Sequence, residues 1–176
     1  MSFGSRGAFT LIELMVACAI VAVLAGIAVG GVQYAVDSGR AARARSDMAR
    51  IAAALEEYRH RYGDFPSTDR PDELCASLLG RRGPAGGPLE DPALVDVDRL
   101  VTAFNDSSSN AGLVFLDPWR RPYVYIYKVP VAGWTNPSFV LCSEGFAGTS
   151  PAALVAGGYP DTDATANRGV IGWDGG

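Results

Sequence analysis

The sequence predicts an α+β protein, with one long N-terminal helix followed by a small domain built on antiparallel strands. Three observations carry this. From Leu14 to Val32 nineteen residues run without a charge. Beyond them Ala41, Ala44, Met48, Ile51, Leu55, Tyr58 and Tyr62 recur at alternating spacings of three and four, which places them on one face of a helix. After Gly63 the chain changes character, and two stretches, Tyr123–Tyr127 and Phe139–Cys142, are dense in β-branched and aromatic residues, as strands are.

The uncharged stretch rises about 1.5 Å per residue and so reaches roughly 28 Å, close to the hydrocarbon thickness of a bilayer. It reads as a membrane span. Cys18, Ala22, Gly26 and Gly30 recur every four residues along it, so small side chains line one ridge and allow close helix-to-helix approach. Glu13 stands at the start of the span, where an ionisable group costs about 2.5–3.5 kcal/mol on insertion scales and therefore points to function. The one-sided stripe from Ala41 to Tyr62 continues the helix out of the membrane and lays one face on a domain, with Arg43, Arg45, Asp47, Arg50, Glu57 and Arg61 mostly elsewhere on the wheel. Gly63 is a C-terminal stop, and Pro66 prevents resumption. One helix from Phe9 to Tyr62 is expected.

Asp72 to Leu79 reads as a short second helix, capped by Asp69 or by Pro71-Asp72. Gly80 to Pro88 is a Gly/Pro-rich loop; it lacks the Gly-Lys-Ser/Thr ending and the preceding strand of a phosphate loop. Asp98 to Phe104 reads as another helical turn and Asn105 to Asn110 as a polar loop. In Asp117-Pro118-Trp119-Arg120-Arg121-Pro122-Tyr123 two prolines constrain the backbone around a large aromatic anchor. The two strand-like stretches flank Gly133 and Asn136-Pro137 and read as a hairpin, with Val170 to Trp173 as a third strand of a small antiparallel sheet.

Charge is uneven along the chain. Asp37 to Arg61 carries six arginines against four acidic residues, a net +2, while Tyr62 to the end carries eight basic and fourteen acidic residues, a net −6. An acidic domain argues against general nucleic-acid binding, which needs a basic patch to neutralise phosphate. Catalysis has little to stand on, because the only histidine, His60, lies among Arg59, Arg61 and the apolar stripe; a Ser-His-Asp site would have to be built on the long helix. The protein is expected not to be an enzyme.

The run Phe9-Thr10-Leu11-Ile12-Glu13 leading directly into the span resembles the processing site of the type IV pilin superfamily. Asp117-Pro118-Trp119 with Pro122-Tyr123, and Ser143-Glu144-Gly145, resemble motifs of the major pseudopilins of type II secretion, with Arg120 where the family usually has Gly. The resemblance implies a pilin-like fold divided into a leader (1–8), a membrane or filament-core helix (9–36), an amphipathic continuation (37–62) and a periplasmic α+β domain (63–176). It implies cleavage between Ala8 and Phe9 by a prepilin peptidase, with Ala8 where family leaders usually end in Gly. It also implies methylation of the new Phe9 amine, which would lie one helical turn from Glu13 and so on its face, and pairing of Glu13 with the amine of the next subunit during assembly.

The implied function is that of a structural subunit of a type II secretion pseudopilus, which polymerises through its N-terminal helix to help export proteins across the outer membrane. The implied partners are further copies of the chain, other pseudopilins, the prepilin peptidase and the inner-membrane assembly platform. Alternatives are a type IV or competence pilin, serving adhesion, motility or DNA uptake, and a membrane-tethered binding module that does not polymerise. Major pseudopilins bind calcium in the loop that follows the Ser-x-Gly turn. Here Ala147 and Gly169 or Val170 stand at the motif aspartates, leaving Asp161 and Asp163 as candidate ligands of a hard cation that wants oxygens. The expectation is a loop held without the ion, by Trp173 and Tyr159, with a Cys75–Cys142 disulfide as a candidate third tie. Cys18 reads as a small apolar residue of the span, while Cys75 and Cys142 form a candidate disulfide pair in an oxidising periplasm.

Overall fold

The computed structural model describes residues 10–105, 112–129, 132–145, 154–155, 157–160 and 171–172. Helix α1 runs from Leu11 to Tyr62, so the expected single helix is present and Phe9 lies outside the described residues. It stops where Gly63 takes a left-handed conformation (φ +85°) and donates its N–H to the Arg59 carbonyl at 2.7 Å. That is the glycine C-terminal cap the sequence signals. The chain divides into two units, one ending at Gly39 and the other beginning at Arg40.

In the first unit every described side chain from Leu11 to Val36 is exposed, and the apolar stretch is long enough to cross a membrane. In the second unit the stripe does what its spacing demands. Ala44, Met48, Ile51, Leu55 and Tyr58 are fully buried, the last four in one core with Phe65, Leu74, Leu78, Phe115, Tyr123, Tyr125 and Leu141. Each such aliphatic side chain contributes about 1.5–3 kcal/mol by leaving water. Asp47 is the exception to the expected polar face. It is 3% exposed, because position 47 sits one turn from both Ala44 and Ile51 and shares their face.

Helix α2 spans Pro71–Leu78, with Pro71 in its first turn and Arg70 at the N-cap making no side-chain cap bond. Neither Asp69 nor Asp72 caps it. The Thr68 hydroxyl instead accepts the Arg70 N–H at 3.0 Å and donates to Glu73 at 2.6 Å.

Among the described residues the strands form three small sheets where one was expected. β1 (Val101–Asn105) and β2 (Gly112–Leu116) make an antiparallel hairpin, with Val101 opposite Leu116 and Phe104 opposite Leu113. The expected helix over Asp98–Phe104 is therefore wrong beyond one 3-10 turn at Val97–Arg99; Val101, Thr102 and Phe104 are strand formers, and pairing with β2 decides their state. β3 (Val124–Ile126), β4 (Val140–Ser143) and β7 (Ile171–Gly172) form the second sheet in the order β3-β4-β7, the hairpin and third strand read from the sequence. β5 (Leu154–Val155) and β6 (Tyr159–Pro160) form a third, two-stranded ribbon.

Candidate functional site

The first turn of α1 holds the residue with the strongest functional signal. Thr10 precedes the helix, and its hydroxyl oxygen accepts the Glu13 N–H at 3.3 Å. Glu13 answers through Oε2, which accepts the Thr10 N–H at 2.9 Å and the Thr10 hydroxyl at 2.8 Å. This is a reciprocal capping box, in which two helix-end donors that have no partner within the helix are satisfied at once. The carboxylate is thus held at the helix end, where the helix dipole favours negative charge. Sequence reasoning assigned Glu13 to an amine and missed Thr10, although Thr-x-x-Glu just before an apolar run is the signature of this cap. Ala8 and Phe9, the expected cleavage and methylation positions, lie outside the described residues.

Along the same unit Cys18 and Ala22 are exposed, and a methyl group built at Gly26 would meet nothing within 4 Å. Gly30 continues the helix. The ridge of small residues is therefore accessible to another helix.

In the second unit, Asp117 to Tyr123 forms a tight turn continuing β2. Arg120 N–H reaches the Asp117 carbonyl at 2.9 Å, Asp117 N–H reaches the Arg121 carbonyl at 2.8 Å, and Leu116 bridges Pro122. Arg120 sits at φ +66°, the left-handed conformation that glycine adopts without a Cβ penalty. This is the physical reason a glycine is usual at that place. The buried Asp117 carboxylate locks the turn. Its Oδ1 accepts the Trp119 and Arg121 N–H groups, each at 2.9 Å, and its Oδ2 accepts the Ser143 hydroxyl at 2.6 Å. Ser143 Oγ in turn accepts the Gly145 N–H at 3.1 Å, and Arg121 donates to the Gly145 carbonyl at 2.9 Å. The two sequence motifs, Asp-Pro-Trp and Ser-x-Gly, are one hydrogen-bonded knot.

Two other groups depart from their sequence reading. Cys75 and Cys142 are free and buried, not bonded to each other; Cys75 packs into the core from α2 and Cys142 lies in β4. Burial pushes both thiols up to about 12. Burial also pushes the Asp47 carboxyl up, against the pull of Arg43 at 3.7 Å and Arg50 at 3.5 Å. The Tyr123 hydroxyl faces this carboxylate without a well-formed hydrogen bond. His60 is exposed on α1.

The calcium that the resemblance implies finds no donor set among the described residues. No group of three or more His, Cys, Asp or Glu side chains gathers there. Asp117 is occupied by the knot, and Glu144 is half-buried and lies 3.8 Å from Arg121. Asp161, Asp163, Ala147 and Trp173 lie outside the described residues.

Comparison with known proteins bears on this geometry. A family model described as the prokaryotic N-terminal methylation motif matches residues 4–29. The type II secretion system core protein G of Pseudomonas aeruginosa is 30% identical over 121 residues, which make up 69% of this chain and 73% of that protein. No solved structure matches the chain.

Proposed function

We propose a function from one premise: the chain belongs to the family of the type II secretion system core protein G, and carries the N-terminal methylation motif. It is a pilin-like subunit. In the reading put forward here it is inserted in the inner membrane by a single pass with its C-terminal domain in the periplasm. A prepilin peptidase cuts it between Ala8 and Phe9, and the assembly platform polymerises it with further copies and other pseudopilins. The filament acts mechanically in the export of proteins across the outer membrane, and the chain performs no catalysis.

The observation that carries this reading is an apolar helix exposed at every described side chain from Leu11 to Val36, with one acidic residue fixed at its first turn. Lipid covers such a surface in the bilayer. When the helix leaves the bilayer, neighbouring helices must cover it, because apolar surface is otherwise returned to water. The small ridge at Cys18, Ala22 and Gly26 supports close packing, and Glu13 at the helix start supports pairing with an incoming amine.

A photo-crosslinking amino acid placed at Leu24, in cells that carry the assembly machinery, tests it. Each copy can then react with a neighbour and be reacted upon, so the expected result is a ladder of covalent multimers. A monomer that crosslinks only to lipid, although inserted and processed, would overturn polymerisation in favour of a tethered module.

A further inference from the structure

The β5–β6 ribbon carries a set of contacts that the function above does not use. Its turn is Gly157-Gly158, both at φ +85°. The Gly157 carbonyl accepts two backbone N–H groups, from Thr135 and from Asn136, each at 3.0 Å. The next carbonyl, Gly158, accepts the Asn136 side-chain amide at 3.0 Å. A Cβ built at Gly158 would stand 2.2 Å from the Trp134 ring, and one at Gly157 would stand 2.4 Å from the Thr135 hydroxyl. The indole therefore lies flush against bare backbone, and any side chain at 158 would force it away.

This contact reaches into the core. Trp134 packs edge-on against Tyr127, with ring centroids 5.7 Å apart, and Tyr127 packs on Phe65 at 5.2 Å. The Tyr127 hydroxyl donates to Asp64 at 2.6 Å, just beyond the end of α1. The path from ribbon to core is continuous.

We infer that this chain fastens its β5–β6 ribbon with a clasp of Trp134, Thr135 and Asn136 on Gly157-Gly158, in place of the cation that its family would use nearby. The carbonyl chemistry supports this. A hard cation takes backbone carbonyl oxygens as ligands, and a carbonyl has two lone pairs to give. Both lone pairs of Gly157 already have donors, and Gly158 has one. A cation could use the Gly157 carbonyl only by displacing a hydrogen bond, which leaves one lone pair of Gly158 as the sole open ligand among these two carbonyls. The carboxylates of the Asp-Pro-Trp and Ser-x-Gly knot, Asp117 and Glu144, are already engaged by Ser143 and the turn amides, and by Arg121. The inference does not rest on the filament reading, since it concerns only how one ribbon is held.

Hydrogen exchange at the Thr135 and Asn136 amides reports on the clasp directly, because both are donors in it. The experiment uses the full chain in detergent, with calcium or with a chelator. The expected result is equal exchange in both conditions and an unchanged melting temperature. Gly158→Ala should speed exchange at these two amides by roughly tenfold, about what losing one ordinary hydrogen bond amounts to, with amides of α1 unaffected. Where that variant fails to fold, Asn136→Ala, which removes the side-chain bond to Gly158 along with the one that Asn136 Oδ1 accepts from the Ser138 N–H, should speed the Thr135 amide severalfold. Faster exchange on chelation, reversed by calcium, would overturn the inference, as would wild-type exchange in a folded Gly158→Ala or in Asn136→Ala.

Discussion

Replacing Asp117 by alanine should be among the most damaging single changes in the second unit. The carboxylate is 1% exposed and accepts three hydrogen bonds, at 2.9, 2.9 and 2.6 Å. Bonds to a charged acceptor contribute about 1.5–3 kcal/mol each, and a buried donor left without a partner keeps its desolvation penalty. The three share one acceptor and are not additive, so we expect a loss of about 3–5 kcal/mol in place of the larger sum. For a unit of this size that corresponds to a fall of roughly 10–20 °C in melting temperature.

The assay is thermal unfolding of the full chain in detergent, followed by tryptophan fluorescence and near-ultraviolet circular dichroism. Asp117→Asn separates the parts of the knot. It keeps the oxygen that serves Trp119 and Arg121 but turns an amide toward Ser143, so it should cost about 1–3 kcal/mol. Ser143→Ala should cost a similar amount, and the two alanine variants combined should cost less than their sum. A melting temperature for Asp117→Ala within about 3 °C of wild type, on the same scale, would refute this account of the turn. Equal damage from Asn and Ala would move its weight from the backbone amides to Ser143.

Arg120→Gly should stabilise the protein by about 0.5–1 kcal/mol, because the exposed arginine holds a left-handed conformation; the same melting assay would count against it by showing a loss. Burial raises the Asp47 carboxyl, so the folded state holds its proton more tightly than the unfolded chain. Stability from this group is present below the ordinary aspartate range, near pH 4, and is lost as pH rises through the raised folded value. Asp47→Asn should flatten the dependence of melting temperature on pH from the ordinary aspartate range upward, relative to wild type, and an unchanged slope would reject this. Intact-mass measurement of the membrane form should give a chain beginning at Phe9, and a terminus inside Leu14 to Gly31 would point to ordinary signal-peptide cleavage.

The helix was legible because its signals are local and redundant: an uncharged span, a stripe at three-and-four spacing, and a glycine where the chain must turn left-handed. The hairpin of β3 and β4 was legible for the same reason. What escaped were decisions made by tertiary contact. Val101 to Phe104 has no strong alternation, and its pairing with β2 settled it as strand. Asp47 carries a polar label on an apolar face, so its burial shows only once Tyr123 is placed beside it. Asp117 and Ser143 are far apart in sequence, and each motif was visible while their bond was not. The disulfide expectation failed because two cysteines in a sequence carry no information on distance. Thr10 is a different case, since its signal was present and was overshadowed by Glu13 beside it.

The central claim is that Glu13 is kept at the start of an apolar helix for its charge in assembly, and the capping box supplies a clean way to separate charge from cap. Glutamine can still accept the Thr10 N–H as a cap partner but carries no charge, whereas alanine loses both. The measurement is filament yield, from sheared cells carrying the assembly machinery, for wild type, Glu13→Gln and Glu13→Ala, with membrane insertion measured alongside. Both variants should insert at least as well as wild type, since a costly group is gone, and both should fail to form filaments. Normal filament yield from Glu13→Gln would contradict the account and leave the cap as the reason for the residue, and normal yield from Glu13→Ala would remove Glu13 from assembly altogether.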